Sequence, residues 1–340
     1  MSAFDLKVFP LCLGGNVFGW TADEAASFAV LDAYAEAGGN FVDTADMYSA
    51  WVPGHAGGES EAILGRWMAA RGCRDRMVIA TKVGQLRGLE GLSAATIRTA
   101  AENSLRRLQT DRIDLYYAHI DDAKTPLAET LGAFDALVRA GKVKRIAASN
   151  YTATRLAEAL AISKSNGLAR YVAIQPHYNL MHRTEYEGDL AALCAREGIT
   201  CFPYFALAKG FLTGKYRPGK PVDSVRSTGA SAYLDARGLR VLAALDEIAA
   251  AHKTTVAAVA LAWLRVQPTV GAPIASARTP AQLAELLPSA CVQLSQDELS
   301  RLGTAGATGF VDGAARLARE AGSPDRDGAR SVDAAARTPR

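Results

Sequence analysis

Short apolar runs alternate with amphipathic stretches along this chain, and the alternation repeats with a period that suits one strand plus one helix. The apolar runs are rich in Val, Ile, Phe and Tyr, which favours buried strands. This repeating pattern constrains the fold more than any single motif does, and it indicates the α/β class. Eight candidate strands lie near Leu11, Phe41, Val78, Leu115, Ile146, Val172, Cys201 and Ile274.

Helical patterns fill most of the intervals between these strands. Several of them are followed directly by a glycine, which suits the left-handed residue that ends many helices. The predicted helices span 23–37, 59–71, 93–108, 127–140, 152–165 and 185–197, and the terminating glycines are Gly38, Gly72, Gly141, Gly167 and Gly198.

Eight strand–helix units in 340 residues predict a closed (β/α)8 TIM barrel, although an open doubly wound sheet would also alternate strands and helices. The open sheet is disfavoured because the first strand leads into GGNVFGW, which lacks the G-x-G-x-x-G spacing of a dinucleotide-binding turn. A phosphate-loop motif is also absent from the sequence. We therefore expect one barrel domain over residues 1–305, with a short N-terminal strand or hairpin.

Beyond Gly303 the chain consists mainly of Ala, Gly, Arg and Asp. This composition cannot bury a core. We expect residues 306–340 to form a C-terminal tail that is partly helical, with a helix over 310–321, and then disordered.

The charge pattern excludes several classes of partner. The net charge of +3 comes from 38 basic and 35 acidic residues, and no run of Lys or Arg is long enough to follow a nucleic-acid backbone. No stretch approaches the length of a membrane span, and the first residues carry no secretory signal. We expect a cytoplasmic protein that binds neither nucleic acid nor membrane, and an oligomer is possible.

Neither disulfides nor metal sites are expected from the cysteines and histidines. The five cysteines are odd in number, widely spaced and free of any C-x-x-C pair. His55, His177, His182 and His252 have no partners spaced for metal ligation. The sequence therefore predicts reduced cysteines and no bound metal.

Polar residues stand where several of the candidate strands end. Asp43, Lys82 and His119 close the runs GGNFVD, MVIATK and RIDLYYAH, and Tyr48 follows shortly after Asp43. The active site of a barrel lies at the carboxyl ends of its strands. We therefore expect these four residues to meet at the barrel mouth, where Asn150, Gln175 and Tyr204 also fall.

These residue types suit proton transfer to an oxygen atom. A free phenol has a pKa of about 10, so Tyr48 exchanges protons near neutrality only if a nearby cation lowers that pKa. Lys82 supplies the cation, Asp43 pairs with it, and His119 can orient a carbonyl by hydrogen bonding. No side chain can supply a hydride, so the chemistry requires a nicotinamide cofactor.

The motifs D-x-x-x-x-Y, A-T-K and D-L-Y-x-x-H at these intervals resemble the catalytic tetrad of the aldo-keto reductases. The likeness is nearer to the bacterial oxidoreductases and the branch that includes potassium-channel β subunits. It extends over roughly residues 5–300, through AASN at 147–150, YNL at 178–180, PYFALAKGFLTGKY at 203–216 and PIASARTPAQLAEL at 273–286.

The resemblance implies a role for each matching position. Tyr48 is the general acid, Lys82 and Asp43 are its tuning pair, and His119 orients the substrate. The implied cofactor is NADPH or NADP⁺, and Arg278 grips its 2′-phosphate. The full cofactor-binding set is Ser149, Asn150 and Gln175 for the carboxamide, Tyr204 for the nicotinamide ring, Phe205, Leu207, Gly210 and Lys215 in the loop over the pyrophosphate, and Ser276, Arg278, Gln282 and Glu285 around the adenosine.

Some positions depart from the family pattern. Leu286 stands where relatives usually carry an asparagine that contacts the adenine. Phe205 and Ala206 replace a common serine and proline, and Ala275 and Ser276 replace a proline and a glycine. We expect a weaker affinity for the cofactor than is usual in the family.

The loops after the first two strands suggest part of the substrate pocket. Phe18, Trp20 and Trp51 lie there, and they either stack on an apolar or sugar-ring face or serve only in packing. The GHAGG loop at 54–58 either covers the pocket or only connects a strand to a helix. In relatives the C-terminal segment contacts substrate, which suggests the same for the predicted helix at 310–321.

The resemblance implies an NADPH-dependent reductase of a small-molecule carbonyl: an aldehyde, a ketone or a sugar. The same enzyme running in reverse would be a sugar or alcohol dehydrogenase. A nicotinamide-binding regulatory subunit, like the potassium-channel β subunits, is the alternative from another class. A metal-dependent barrel hydrolase is disfavoured because Lys82 lies between Asp43 and His119.

Overall fold

In a computed structural model that describes residues 4–307, eight parallel strands form one curved sheet with helices around it. Neighbouring strands pair in the order β7-β6-β5-β4-β3-β2-β1-β8. The strands are β1 Cys12–Gly14, β2 Phe41–Asp43, β3 Val78–Val83, β4 Ile113–Ala118, β5 Val143–Ser149, β6 Tyr171–Gln175, β7 Thr200–Cys201 and β8 Ile274–Ala275.

Backbone hydrogen bonds between the β7 and β8 segments join the two ends of this sheet. The Cys201 N–H donates to the Thr269 carbonyl at 2.8 Å, and the Gly271 N–H donates to the Cys201 carbonyl at 2.9 Å. The Ile274 N–H donates to the Pro203 carbonyl at 2.9 Å. The predicted (β/α)8 barrel is therefore confirmed.

Helix boundaries follow local sequence signals. Asp23, Ser93 and Thr152 each accept a hydrogen bond from the backbone three residues on, so these side chains cap the helices that they precede. The α-helices are α1 Glu24–Glu36, α2 Glu59–Arg71, α3 Ala94–Arg107, α4 Leu127–Arg139, α5 Ala153–Asn166, α6 Asp189–Glu197, α7 Ser227–Ser231, α8 Ala236–Ala251, α9 Val256–Arg265, α10 Pro280–Leu286 and α11 Gln296–Ala305.

The inside of the barrel is filled by side chains that point inward from the strands, so it is a packed core rather than a pore. At its amino-terminal end, the ring of Phe202 packs edge-on against Phe41 and Phe4, with centroids 5.1 and 5.0 Å apart. Val8 packs against the same cluster. With this end closed by apolar packing, polar chemistry is left to the carboxyl ends of the strands.

The N-terminal segment corrects one part of the predicted fold. Residues 4–10 contain no strand, although a short strand or hairpin was expected ahead of the barrel. The segment is held instead by side chains, because the Phe9 N–H donates to Asn40 Oδ1 at 2.8 Å and Asn40 Nδ2 donates to the Lys7 carbonyl at 2.9 Å. Burial of Phe4 and Val8, not strand pairing, fixes its position.

The predicted C-terminal tail lies almost entirely outside the described residues. The helix expected at 310–321 is among the residues not described, and the division of the chain at residue 305 stays a prediction. Within residues 4–307, no helix is both long and apolar enough to span a bilayer.

Candidate active site

A cavity of about 780 Å³ opens at the carboxyl ends of the barrel strands. It brings together residues that are far apart in the sequence, from the loop after β1 to helix α10. Sixteen of the predicted site residues line it: Asp43, Tyr48, Trp51, His119, Ser149, Asn150, Gln175, Tyr204, Phe205, Leu207, Gly210, Lys215, Ser276, Arg278, Gln282 and Glu285.

A buried ion pair lies beneath the cavity floor. Lys82 is fully buried, and its Nζ donates to Asp43 Oδ2 at 2.7 Å, to the Thr44 carbonyl at 2.8 Å and to the Tyr48 hydroxyl at 3.0 Å. The three donor positions of the ammonium are thus all used. Lys82 itself does not line the cavity, so it reaches the site through the Tyr48 hydroxyl.

Asp43 connects this ion pair to the next strands. Its Oδ2 also accepts a long hydrogen bond of 3.3 Å from the Tyr48 hydroxyl, and its Oδ1 accepts from Gln175 Nε2 at 2.9 Å. Asp43 is 2% exposed, so both oxygens are satisfied by protein groups in a low-dielectric setting. Gln175 therefore has a role in the site besides the predicted one, because it donates a hydrogen bond to Asp43.

The pKa of Tyr48 is raised, whereas the sequence-based argument expected Lys82 to lower it. Burial raises that pKa well above its usual value, and the nearby Asp43 carboxylate raises it further. The expected lowering by Lys82 does not prevail because the ammonium is already neutralised by Asp43 at 2.7 Å. Tyr48 therefore keeps its proton throughout the physiological pH range, which is the state that a proton donor requires.

His119 lies across the cavity floor from Tyr48, with ring centroids 6.2 Å apart. Burial lowers the pKa of His119 well below its usual value, and the charge of Lys82 acts in the same direction. The imidazole is therefore neutral. Its Nδ1 is buried without a hydrogen-bond partner among residues 4–307. Because His119 lines the cavity, the other ring nitrogen can face a ligand there.

Polar side chains at the ends of β5 and β6 form one connected network. Asn150 Nδ2 donates to the His119 carbonyl at 2.9 Å and to Ser149 Oγ at 3.1 Å. Ser149 Oγ donates to the Gln175 carbonyl at 2.9 Å, and the Tyr204 hydroxyl donates to Asn150 Oδ1 at 2.9 Å. The network connects the ends of four neighbouring strands, β4 to β7, on one side of the cavity.

The lining of the cavity is positively charged. Four cations line the cavity, Lys209, Lys215, Arg226 and Arg278, against two carboxylates, Asp43 and Glu285. Asp43 is already paired with Lys82. Within the part of the chain that the structure describes, none of the four cations forms an ion pair, so their charge faces the cavity uncompensated.

This charge and the cavity volume of about 780 Å³ fit a phosphate-bearing dinucleotide. Arg278 is held by its backbone, whose N–H donates to Gln282 Oε1 at 2.9 Å, and this leaves its guanidinium available. A guanidinium without a carboxylate partner is a strong donor to phosphate. The residues that line the cavity therefore suit a nicotinamide dinucleotide, with cations available to its phosphates.

Two of the three residues predicted for the substrate pocket lie elsewhere. Phe18 is fully buried in the hydrophobic core, and the Trp20 ring faces Trp51 at 5.4 Å instead of the cavity. These contacts agree with the packing role that the sequence left open, because position on a loop does not decide which way a side chain turns. Trp51 does line the cavity, is 43% exposed and packs edge-on against Tyr48 at 6.2 Å.

Sequence reasoning missed several residues that line the cavity. Arg226 is the most consequential, since its guanidinium lies over the Trp20 ring at 5.8 Å and faces the same space as Arg278. Burial lowers its pKa, and the charge of Arg278 lowers it further. Arg226 stands in an irregular stretch, SVRS, where a lone arginine is the only sign of a functional residue. Asn16 and Gln85 also line the cavity, and their positions just after strand ends could have identified them.

The histidines correct a further expectation. His177 and His182, for which the sequence indicated no partners spaced for metal ligation, are stacked with ring centroids 3.7 Å apart. Glu185 joins them, and one ligand atom from each of the three lies within 4.8 Å of the others. Burial and the neighbouring His182 lower the pKa of His177 to about 4.

Fold and site together define a (β/α)8 barrel protein whose cavity is lined by a tyrosine next to a buried lysine–aspartate pair and by four cations. The model of the aldo/keto reductase family matches residues 10–306. The chain therefore belongs to the aldo/keto reductase family.

Relatives with curated names agree with this family. The chain is 34% identical over 325 residues to Protein tas of Escherichia coli, an overlap of 87% of this chain and 94% of the relative. It is 33% identical over 313 residues to norsolorinic acid reductase stcV of Emericella nidulans, covering 86% and 77%. It is 28% identical over 313 residues to an aryl-alcohol dehydrogenase of Pestalotiopsis microspora, covering 87% and 78%. Two of these names denote oxidoreductases, which supports oxidoreductase activity for this member of the family.

Proposed function

We propose that this protein is an NADPH-dependent reductase that converts a carbonyl compound to an alcohol, with Tyr48 as the proton donor. The observation that carries the proposal is the arrangement of the Tyr48 hydroxyl, which lies 3.0 Å from the buried Lys82 ammonium and borders the cavity. A bound nicotinamide would supply the hydride, which no side chain can supply.

The proton step follows from the hydrogen bonds of Tyr48. The hydroxyl accepts from Lys82 at 3.0 Å and donates only weakly to Asp43 at 3.3 Å, so its proton can turn toward a substrate oxygen at little cost. As negative charge develops on that oxygen, the phenol gives up its proton and becomes a phenolate. Lys82 stabilises the phenolate electrostatically at that moment.

His119 holds the substrate oxygen in the position that this transfer requires. Because its imidazole is neutral, one ring nitrogen can donate a hydrogen bond to the carbonyl without competing as an acid. Both rings line the cavity with centroids 6.2 Å apart, so their polar edges can converge on one carbonyl oxygen. Tyr48 thus transfers the proton while His119 orients the acceptor.

Cofactor binding is assigned to the network and the cationic end of the cavity. Ser149, Asn150 and Gln175 line the side where the carboxamide would lie, and Tyr204 offers its ring for stacking. The loop from Leu207 to Lys215 covers the pyrophosphate. Arg278 binds the 2′-phosphate that distinguishes NADPH from NADH, since its guanidinium has no other anionic partner within residues 4–307.

The apolar rim of the cavity favours an aromatic substrate. Trp51, Phe205 and Val225 line the cavity with 43%, 37% and 68% of their surfaces exposed, which is unusual for large apolar side chains. Ile120, 43% exposed, follows His119 directly. The name of the aryl-alcohol dehydrogenase relative agrees with this class, so we propose aryl aldehydes and ketones, with the reverse oxidation accessible when NADP⁺ is in excess.

The test is oxidation of NADPH measured against aryl aldehydes, aliphatic ketones and aldoses, repeated with NADH. We expect turnover to be fastest with an aryl carbonyl and kcat/KM to be at least about tenfold higher with NADPH than with NADH. Arg278→Met should abolish that preference, whereas Arg98→Met, an exposed change on α3, should leave it intact. The proposal is wrong if no carbonyl is reduced and NADP⁺ with the matching alcohols is also inert.

A further inference from the structure

Three metal-ligating side chains converge outside the cavity described above. His177 follows β6 by two residues, and His182 and Glu185 lie in the turn before α6. His182 Nε2 lies 2.9 Å from Glu185 Oε1, and all three ligand atoms lie within 4.8 Å of one another. None of the three residues lines the active-site cavity, so the proposed reductase activity does not use them.

The backbone holds both histidines in place. The Asn179 and His182 N–H groups each donate to the other's carbonyl at 3.0 Å, which closes a tight turn that returns His182 to His177. His177 forms a bridge with Tyr204, and its ring stacks on the Tyr204 ring at 5.4 Å. These contacts fix the backbone of both histidines, and the cluster lies directly behind the aromatic ring proposed to face the cofactor.

The imidazole nitrogens in this cluster lack hydrogen-bond partners. The Nε2 atoms of His177 and His182 are both buried without a partner among residues 4–307. The contact between His182 and Glu185 has the distance of an ion pair but not the alignment of a hydrogen bond. Buried polar atoms without partners are costly, and a bound cation would satisfy both nitrogens at once.

We propose that His177, His182 and Glu185 bind a zinc ion. Zinc bonds of about 2.1 Å in a tetrahedron place ligand atoms about 3.4 Å apart, so the largest separation, 4.8 Å, has to close by about 1.4 Å. The stacked imidazole rings have to part to point both nitrogens at one ion, and Glu185, 64% exposed, and His182, 27% exposed, are the side chains with room to move. Water completes the fourth position.

The donor set selects the class of metal. Two imidazoles and one carboxylate match the ligands that zinc takes when it keeps one open coordination position. Calcium and magnesium prefer oxygen ligands, of which this cluster offers only one carboxylate. The proposal therefore concerns zinc and similar divalent transition metals, not the alkaline-earth ions.

The experiment titrates the metal-free, full-length protein with Zn²⁺ in competition with a chromogenic chelator, in a Cys291→Ser background that removes the exposed thiol. We expect one Zn²⁺ per chain. Glu185→Gln and His182→Gln should each weaken the affinity at least about tenfold. Co²⁺ in place of Zn²⁺ should show the visible absorption of tetrahedral coordination.

A second His–Glu pair supplies the matched control. His252 Nε2 lies 2.8 Å from Glu298 Oε1, and within the described residues this pair has no third ligand close enough to share a metal. His252→Gln should therefore keep the parent affinity. The proposal is overturned if the parent binds no Zn²⁺ at micromolar concentration, or if all three variants bind it equally well. Because Glu185 is mostly exposed, its variant tests the site even if His182→Gln fails to fold.

Discussion

Lys82 is the residue on which the polar site depends most. Its ammonium is fully buried and donates to three oxygens, one of them on the fully enclosed Asp43 carboxylate. A buried pair adds little net stability compared with an apolar pair, but the loss of one partner leaves an uncompensated charge. The loss of either partner should therefore destabilise the fold as well as disrupt the site.

The first prediction concerns this pair. Lys82→Met should lower the free energy of unfolding by about 3 kcal/mol, because Asp43 would stay buried with Gln175 and Tyr48 as its only side-chain donors. Lys82→Met combined with Asp43→Asn should recover part of the loss, since the charge is then gone. Urea unfolding followed by circular dichroism measures both variants. Equal losses in the single and the double variant would contradict the account.

The side-chain carboxylate of Asp46, two residues before Tyr48, is buried as well. It is fully buried, and neither of its oxygens has a hydrogen-bond partner among residues 4–307. Burial raises the pKa of Asp46 to about 7, and the charge of Glu61 acts in the same direction. In the unfolded chain the same carboxyl titrates near 3.9.

The second prediction is a pH dependence of stability. Between about pH 4 and pH 7 the unfolded chain has lost the Asp46 proton, while the folded chain keeps it. The free energy of unfolding therefore falls progressively as the pH rises through this range. Above pH 7 the contribution of Asp46 is constant. Asp46→Asn removes the effect. The stability of the variant relative to the parent should therefore rise by up to about 4 kcal/mol across that range. Denaturant unfolding at pH 4, 5.5, 7 and 8.5 measures it, and a difference independent of pH would refute the prediction.

Among the elements, the loop that follows β7 has the most strained backbone of the site. Phe205, Ala208 and Lys209 have φ values of 49°, 47° and 58°, in the left-handed region that side chains disfavour. Gly210 follows at 98°, a conformation that glycine adopts readily. Most of the loop lines the cavity, while Ala208, Phe211 and Leu212 are buried in the core, so this backbone conformation places the loop near the proposed pyrophosphate position.

The third prediction tests this loop. A Cβ at Gly210 would meet only Tyr216 at 3.7 Å, so Gly210→Ala adds backbone strain without a clash. We expect the Kd for NADPH to rise at least about fivefold, equivalent to about 1 kcal/mol. Gly132→Ala is the matched control, because that position is on helix α4 with no atom within 4 Å. Fluorescence titration measures both, and equal affinities would show that the loop's conformation does not limit binding.

The elements also show what the sequence could predict and what it could not. Strands β3 to β6 are five to seven residues long, and their apolar runs identified them. Strands β7 and β8 were also predicted, near Cys201 and Ile274, although they have two residues each. The sequence pattern did not predict helices α7, α8 and α9, which lie in the 72 residues between these strands, 202–273. Such short strands depend on barrel closure rather than on their own composition.

At the residue level, the sequence could not predict the directions of side chains or the balance of charges around them. Strand ends located Asp43, Lys82 and His119, because a barrel gathers its carboxyl ends regardless of detail. The sequence could not reveal that Phe18 turns into the core, that Asp43 raises the pKa of Tyr48, or that the turn at 179–182 returns His182 to His177. Each of these depends on distances of a few ångströms that only the folded chain sets.

For the molecule as a whole, the barrel makes one site from distant parts of the chain. Asp43 and Gln175 are 132 residues apart in sequence and share a hydrogen bond of 2.9 Å beside the cavity. The same cavity continues to Arg278 and α10, so Tyr48 and the cations that line the cavity border one space. A ligand that spans the cavity should therefore stabilise the whole fold by mass action.

The most direct test of the account compares Tyr48→Phe with the parent in two measurements: turnover of the best carbonyl substrate, and the rise in Tm that NADPH produces. Phenylalanine removes the proton but leaves the Lys82–Asp43 pair and the cationic end of the cavity in place. We predict a loss of turnover of about 100-fold or more with an unchanged rise in Tm. Turnover within a few-fold of the parent would contradict the assignment of Tyr48 as the proton donor.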